Sequence, residues 1–200
     1  MDYSFLDREE YQGIPLYKIS DNNNGLPFFI IKMDRCAQKK HRHEYVQIIY
    51  ICKGRLKHVI NDNVFNVYKG DIFVIPPYVP HYFIDEYHEK FELIEFEFIP
   101  EFINEKFSRH HKEDSFLDFA YLEPFLVSEN KIKPRLNLTG SLQIEVENIF
   151  SEILREYEMR DSDFELVIKA LLLKLLVLVG REYKRDMEGT ETQGLFQRHR

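Results

Sequence analysis

Three histidines and one glutamine are the residues whose types and spacing most clearly indicate chemistry. His41 and His43 are separated by one residue at the start of a run rich in β-branched and aromatic residues, and Gln47 follows on the same run. Because side chains alternate along a strand, all three point to one face, together with Ile49. His81 follows a proline-rich turn at the start of a later strand. If the strands close into a barrel, three imidazoles and one amide oxygen converge inside it.

Such a set of nitrogen and oxygen donors suits a metal ion. Imidazole binds zinc, copper, iron and nickel, and open sites with mixed nitrogen and oxygen donors also hold non-haem iron. A divalent ion such as Zn, Fe, Mn or Ni would have the ligands His41, His43, Gln47 and His81. Gln47 is neutral, however, so it is a weaker ligand than a carboxylate and does not offset the charge of the metal.

The same polar residues could instead line a pocket for a small organic molecule, because the mouth of a β-barrel is a favoured ligand site. In that case Ile49 and Phe83 supply an apolar wall beside the histidines. A barrel packed solid with side chains would indicate a structural or partner-binding module. Two further histidines, His58 and His88, have no supporting partners in the sequence.

The surrounding sequence predicts the elements that position these residues. From residue 27 to about residue 100 the chain reads as short strands separated by turns, which favours a sandwich or barrel. Helical spacing of apolar residues follows over 141–157 and from 162 to about Lys184. The chain therefore divides into an N-terminal arm (1–26), a β-barrel (27–100), a connecting segment (101–138), a two-helix segment (139–185) and a linker-like tail (186–200).

Composition excludes several classes of protein. The 200 residues carry a net charge of −7, which argues against a nucleic-acid-binding module because phosphate binding needs a basic face. Cys36 and Cys52 are too few for a disulfide scaffold, and the acidic start is not a secretory signal, so we expect a reducing cytoplasm. The apolar run at 164–179 contains three charged residues and is interpreted as a helix that does not span a membrane.

The second predicted helix is apolar over more than one stripe. A surface helix needs an apolar face only about 100° wide, but Leu166, Leu173, Val177 and Leu178 widen this one well beyond that. Either both sides are covered within one chain, or one side packs against a second copy. We favour a homodimer through the C-terminal helices.

Two motifs carry a resemblance to a known family. The run H-x-H-x3-Q-x6-G from His41 to Gly54 resembles the first cupin motif, with Gln47 where that motif carries Glu. The run G-x5-P-x-Y-x2-H-x3-D from Gly70 to Asp85 resembles the second. The stretches IYICKG at 49–54 and KGDIFVIPP at 69–77 are similar to the sensor half of AraC-type transcription regulators.

This resemblance, which covers roughly residues 25–185, implies both a fold and a function. The fold is mainly β with C-terminal α: a cupin barrel (a double-stranded β-helix or jelly roll) followed by an antiparallel helix pair. The implied function is effector binding and dimerisation, with DNA bound only by a separate helix-turn-helix half that these residues do not contain. The alternative left open is a metal-dependent cupin enzyme, a dioxygenase or isomerase using His41, His43 and His81. We expect a sensor rather than an enzyme, with no catalytic residue and no certain cofactor.

Overall fold

Ten strands and three helices make up the described part of the chain, which comprises residues 13–19, 25–36, 39–103 and 135–197 of a computed structural model. Most of the strands are rich in β-branched and aromatic residues, which favour extended backbone. The strands are β1 (Leu16–Tyr17), β2 (Phe28–Met33), β3 (Arg42–His43), β4 (Val46–Lys53), β5 (Arg55–Ile60), β6 (Asn63–Tyr68), β7 (Asp71–Ile75), β8 (His81–Ile84), β9 (Glu92–Phe98) and β10 (Arg135–Asn137). The helices are α1 (Pro100–Ile103), α2 (Gly140–Met159) and α3 (Phe164–Gln197).

Two antiparallel sheets enclose a common core, and together they form what is called the barrel below. The larger sheet has five strands in the order β10-β7-β4-β9-β2, and the smaller has three in the order β6-β5-β8. Side chains from both sheets meet in one apolar cluster. This is the predicted mainly β architecture with a helix pair at its C-terminal end.

Strand β4 is buried on both of its faces. Ile48 and Tyr50 join the apolar cluster that includes the helices, whereas Ile49 and Ile51 join the cluster inside the barrel. Gln47 lies on the barrel side because it alternates with Ile48. The predicted assignment of these residues to two faces therefore holds, and the face bearing Gln47 is the inner one.

The helix pair covers the outer face of the larger sheet. The ring of Phe150 in α2 stacks on Tyr50 with centroids 5.5 Å apart, and the Tyr50 hydroxyl donates a hydrogen bond to Glu147 at 2.8 Å. Lys174 in α3 pairs with Glu145 in α2 at 2.9 Å, a contact far from the turn between the helices. The two helices are therefore antiparallel neighbours, as the short connection predicts.

Helix α3 is longer than the sequence suggests. It continues to Gln197, past the predicted end near Lys184 and through most of the tail at 186–200 that was expected to be a linker. The tail is rich in charged residues and contains no proline, so its two glycines weaken the helix by about 1 kcal/mol each without ending it. Within the described residues no helix is both long and apolar enough to cross a membrane.

Two short strands lie outside the range predicted for the barrel. Strand β1 falls in the predicted arm, and β10 falls at the end of the predicted connecting segment, most of which (104–134) lies outside the described residues. β10 pairs with β7, where the buried carboxylate of Asp71 accepts hydrogen bonds from the Asn137 amide at 2.7 Å and the Tyr68 backbone N–H at 2.8 Å. These bonds join the larger sheet to the residues that lead into α2.

The turn between β4 and β5 depends on a glycine. Gly54 has φ of 78°, and a Cβ there would lie 2.6 Å from the carbonyl oxygen of Lys90.

We expect Gly54→Ala to lower the free energy of unfolding in urea by clearly more than Gly25→Ala. Gly25 has a similar φ of 87° but open space around it, so its replacement costs only the left-handed strain of about 1–2 kcal/mol. Equal losses in the two variants would contradict the close approach at Gly54.

Candidate functional site

Each of the three predicted site histidines is held by a backbone carbonyl two residues away in the sequence. The distances from Nδ1 to the carbonyl oxygen are 2.9 Å from His41 to Lys39, 2.6 Å from His43 to Tyr45 and 3.1 Å from His81 to Val79. Because a carbonyl only accepts hydrogen bonds, Nδ1 of each ring carries the proton. In the neutral ring Nε2 then keeps a lone pair, so the backbone selects one tautomer for all three imidazoles.

The structure brings these histidines together although they are distant in sequence. His41 and His81 exchange backbone hydrogen bonds of 3.1 and 2.9 Å, and their ring centroids are 4.4 Å apart. The ring of His43 lies 5.0 Å from that of His81. All three side chains are buried, and His81 lies on the same side of β8 as Phe83, which belongs to the barrel interior. His81 therefore faces into the barrel, where the sequence places it.

Burial keeps these imidazoles neutral. Removal from water lowers the pKa of His43 to about 3, and it lowers the pKa of His41 and His81 as well. The neighbouring histidines lower the pKa of His81 further. At physiological pH the site therefore presents neutral rings with acceptor nitrogens rather than a positive charge.

A fourth histidine, His58, belongs to the same cluster. Its ring stacks on Phe83 with centroids 4.2 Å apart, contacts the edge of Phe73 at 4.8 Å and lies 5.5 Å from His81. His58 is fully buried, and neither of its ring nitrogens has a hydrogen-bond partner. Burial lowers its pKa to about 3. The sequence analysis assigned this residue no role.

Gln47 faces a carboxylate across the sheet. The Gln47 amide nitrogen donates to Glu97 Oε1 at 3.1 Å, and the strand register places these two residues directly opposite each other. Tyr45 also hydrogen-bonds Glu97 and stacks on His43 with a centroid separation of 4.4 Å. The Gln47 carbonyl oxygen is buried without a partner. The polar part of the barrel therefore contains an acid that the sequence analysis did not select.

The two predicted apolar residues, Ile49 and Phe83, lie inside the barrel. They belong to a cluster of buried side chains from both sheets: Ile49, Ile51, Leu56, Ile60, Val67, Phe73, Ile75, Phe83, Phe91 and Leu93. The interior thus has an apolar part that these side chains fill. Its polar part contains the histidines, Gln47 and Glu97.

Residues 15–17, in the described part of the N-terminal arm, lie against the histidines. Strand β1 pairs in parallel with β3, and the Tyr17 ring stacks on His41 with centroids 5.1 Å apart. The backbone N–H groups of Arg42 and Glu44 donate to the carbonyls of Pro15 and Tyr17 at 2.9 and 3.1 Å. Tyr17 itself remains 42% exposed. This contact connects the arm directly to the candidate site.

The donor types of the candidate site can be compared with those of a metal centre. Hydrogen bonds from Nδ1 to carbonyls are typical of metal-binding histidines, and the donor types fit. However, no group of three or more His, Cys, Asp or Glu side chains in the described ranges is arranged to hold an ion. The Gln47 amide nitrogen donates to Glu97, while its carbonyl oxygen, the atom that could bind a metal, has no hydrogen-bond partner. The structure therefore brings together the residues expected to bind a divalent metal, but within the described ranges the three histidines among them are not arranged to hold an ion. These residues are His41, His43, Gln47 and His81.

Strand alternation is the signal that would have found the missed residues. His58 lies on the same face of β5 as Leu56 and Ile60, and both of these residues are buried in the barrel interior. Glu95 and Glu97 alternate with the helix-facing residues of β9, which would suggest a solvent face. In the fold that face is the barrel interior, and burial together with Glu97 raises the pKa of Glu95 to about 8.

One family model covers most of this chain. The family model of the AraC-like ligand binding domain matches residues 33–176. Among solved structures, an RmlC-like cupin from Shewanella frigidimarina is similar, with 20% identity, a TM-score of 0.32, and coverage of 36% of this chain and 66% of that chain. A search of the curated proteins found no match.

Two further solved structures show the same level of similarity. A cupin 2 conserved barrel domain protein from Salinispora arenicola has 18% identity and a TM-score of 0.33, covering 38% of this chain and 67% of that chain. A variant of Bacillus subtilis oxalate decarboxylase has 16% identity and a TM-score of 0.34, covering 42% of this chain and 24% of that chain. The chain thus spans about two thirds of the smaller cupins and about a quarter of the decarboxylase.

The buried histidines make stability depend on pH. The unfolded chain binds protons at His43 and His58 below about pH 6.5, whereas the folded chain does so only near pH 3. The contribution of these two neutral histidines to the free energy of unfolding is therefore fully present above pH 6.5 and is lost on acidification. We expect a loss of about 2 kcal/mol per histidine at pH 5, measured by urea denaturation.

The carboxyl of Glu95 has the opposite effect. Its pKa in the folded state, about 8, is above the ordinary carboxyl value of 4.5, so acidification through pH 8 favours folding. The free energy of unfolding should consequently reach its maximum near pH 6.5–7. If these histidines titrated equally in both states, Glu95 alone would make the free energy of unfolding rise between pH 7 and pH 5, and that result would contradict the prediction.

Proposed function

The chain belongs to the family of AraC-like ligand-binding domains, and we propose that it senses a small-molecule effector bound inside the barrel. Unpartnered polar atoms carry this proposal: Nε2 of His43, Oε1 of Gln47 and both ring nitrogens of His58 are buried without hydrogen bonds. A buried polar group left unpaired costs about 1–3 kcal/mol. A bound molecule that pairs with these atoms would recover that free energy.

The site has the composition of a small-molecule pocket. A few polar groups at one end can fix the orientation of a ligand, while apolar walls remove it from water. In this proposal the contacts with the effector come from His41, His43, Gln47, Ile49, His81 and Phe83. Their burial and mutual proximity support the assignment.

The arm offers a way for occupancy to change the rest of the protein. Tyr17 stacks on His41, and only two residue pairs join β1 to β3. An effector that contacts His41 would favour one position of Tyr17 over another. A ligand shifts such an equilibrium only as far as its affinity differs between the two arrangements. We propose that the arm reports occupancy in this way.

The C-terminal helices support a second proposal, that the protein forms a homodimer. Leu166 on α3 and Ile144 on α2 are 65% and 60% exposed. A groove of about 330 Å³ on α3 is lined by three apolar side chains and two cationic ones: Leu173, Lys174, Val177, Leu178 and Arg181. We infer that a second copy covers this face. In a transcription regulator, dimerisation would pair two separate helix-turn-helix halves that bind DNA.

The metal-dependent enzyme left open by the sequence is not the function the geometry supports best. Within the described ranges no group of three or more His, Cys, Asp or Glu side chains is arranged to hold an ion. Nothing in the described site favours a dioxygenase or isomerase over effector binding.

Effector binding is tested by thermal denaturation with a panel of small metabolites. We expect a true effector at about 100 times its Kd to stabilise the wild type by about 2.7 kcal/mol, or roughly 5–10 °C in Tm. Gln47→Leu should abolish the shift because it removes the inner amide. Gln143→Leu is the matched control, since that amide lies on α2 and bonds to Glu147. Compounds that stabilise Gln47→Leu as much as the wild type bind elsewhere.

Dimerisation is tested by replacing one exposed leucine. We expect Leu166→Glu to shift the protein to monomer in sedimentation velocity, because a charge on the proposed interface would lose its hydration there. Val64→Glu is the control, since Val64 is 59% exposed on β6 of the barrel. A wild type that sediments as a monomer at tens of micromolar would refute the interface.

A further inference from the structure

We propose that the effector is a small uncharged molecule bearing hydrogen-bond donors, and that it contacts His58 at the inner end of the site. This inference rests on the proposed function, which it deepens by assigning a ligand class and an additional contact residue. His58 lies beside the expected set, 5.5 Å from His81, and is not part of either motif. The buried hydrogen-bonding atoms that the protein itself leaves unpaired indicate the ligand class.

The predicted polar residues leave acceptors unpaired. His43 donates Nδ1–H to the carbonyl of Tyr45, so its unpartnered Nε2 is an acceptor. Gln47 donates its amide nitrogen to Glu97, so its unpartnered Oε1 is also an acceptor. In both residues a donor is bonded within the protein and an acceptor is left without a partner. A ligand must therefore bring donors to this wall.

His58 adds one donor and one acceptor. In the neutral ring one nitrogen carries a proton and the other a lone pair, and both are unpartnered. The ring is held by stacking on Phe83 and by the edge of Phe73, so it cannot turn its polar edge toward water without breaking both contacts. A fully buried imidazole with two unpaired nitrogens destabilises the ligand-free protein, because buried polar groups without partners lose the hydrogen bonds that they make in water. It becomes favourable when a ligand group pairs with it.

Charge argues against an ionic ligand. A carboxylate or phosphate brings only acceptors, and it would meet the acceptors of His43 and Gln47 and the nearby acid of Glu97. Glu97 already accepts a hydrogen bond from Gln47 and another from Tyr45. An ammonium ion would bring donors to these acceptors, but it would lose its hydration beside the apolar walls of Phe73 and Phe83, and the carboxylate of Glu97 is already bonded to Gln47 and Tyr45. The site therefore fits an uncharged amide, phenol or alcohol.

Five probes with one aromatic ring test the ligand class. Phenol and benzamide carry uncharged donors, anisole lacks a donor, benzoate is an anion, and benzylamine is a cation at pH 7. We expect phenol and benzamide at millimolar concentration to shift the ring resonances of His43 and His58 in NMR spectra of the full chain. Anisole, benzoate and benzylamine should leave them unchanged. Stronger perturbation by benzoate or benzylamine would overturn the ligand class while leaving effector binding intact.

The role of His58 is tested by His58→Phe. This variant keeps an aromatic ring between Phe73 and Phe83 but removes both unpaired nitrogens. We expect the Tm of the ligand-free protein to rise by roughly 2–10 °C and the affinity for phenol and benzamide to fall at least tenfold. His58→Gln, which retains a donor and an acceptor, should keep part of that affinity. His88→Asn is the control, because His88 is exposed and outside the barrel.

The outcomes separate this inference from the proposed function. A lower Tm in His58→Phe with unchanged probe affinity would make His58 a packing residue, and the inference would fail although the barrel still binds ligand. If none of the five probes perturbs His43 or His58, the assigned ligand class is wrong. The proposed function fails independently if no metabolite gives a thermal shift that depends on Gln47. If His58→Phe does not fold, the comparison of the five probes and the affinity of His58→Gln still decide the inference.

Discussion

Burial of both faces of β4 and β9 is the constraint on which the rest of the structure depends. Ile48 pairs with Phe96 on the side of the helices, while the neighbouring pairs Gln47–Glu97 and Ile49–Glu95 face the barrel. A slip of one residue would exchange the two sets. The amide and both acids would then be buried against apolar helix side chains. The register is thus fixed from both sides, and the site and the helix packing are specified by the same strands.

The buried histidines at the polar end of the barrel lower the free energy of unfolding, to which this packing contributes. Four imidazoles are buried within a few ångströms of each other, and burial lowers the pKa of each of them. Three bond to nearby carbonyls, whereas His58 bonds to nothing within the protein. At His58, whose two nitrogens have no partner, an apolar residue would break no hydrogen bond and would make a more stable barrel. Departures from the rules of packing are expected at functional sites, and these unpaired polar groups lie where we propose that the effector binds.

The sequence predicted those parts of the site that depend on local periodicity. Alternation over His41, His43 and Gln47 assigned one face, and the turn motif placed His81 at the start of a strand. The sequence could not predict Glu97 as a partner of Gln47, because that pairing depends on which strands become neighbours in the sheet. His58 was missed since a single histidine in a strand carries no motif of its own. The extent of α3 was also underestimated, because a charged tail of this composition is compatible with either helix or linker.

Two structural elements contact the barrel closely enough to respond to a ligand, and they differ in how firmly they are held. The helix pair packs over a broad apolar core, and Tyr50 joins it to the sheet through Phe150 and Glu147. The arm has two paired residues, and Leu16 and Tyr17 remain 37% and 42% exposed. Segments with few buried contacts open at lower free energy than core elements. If an effector binds as we propose, the described strand of the arm is the element that it would displace or fix, whereas moving the helices would require disrupting the core that β4 shares with the site.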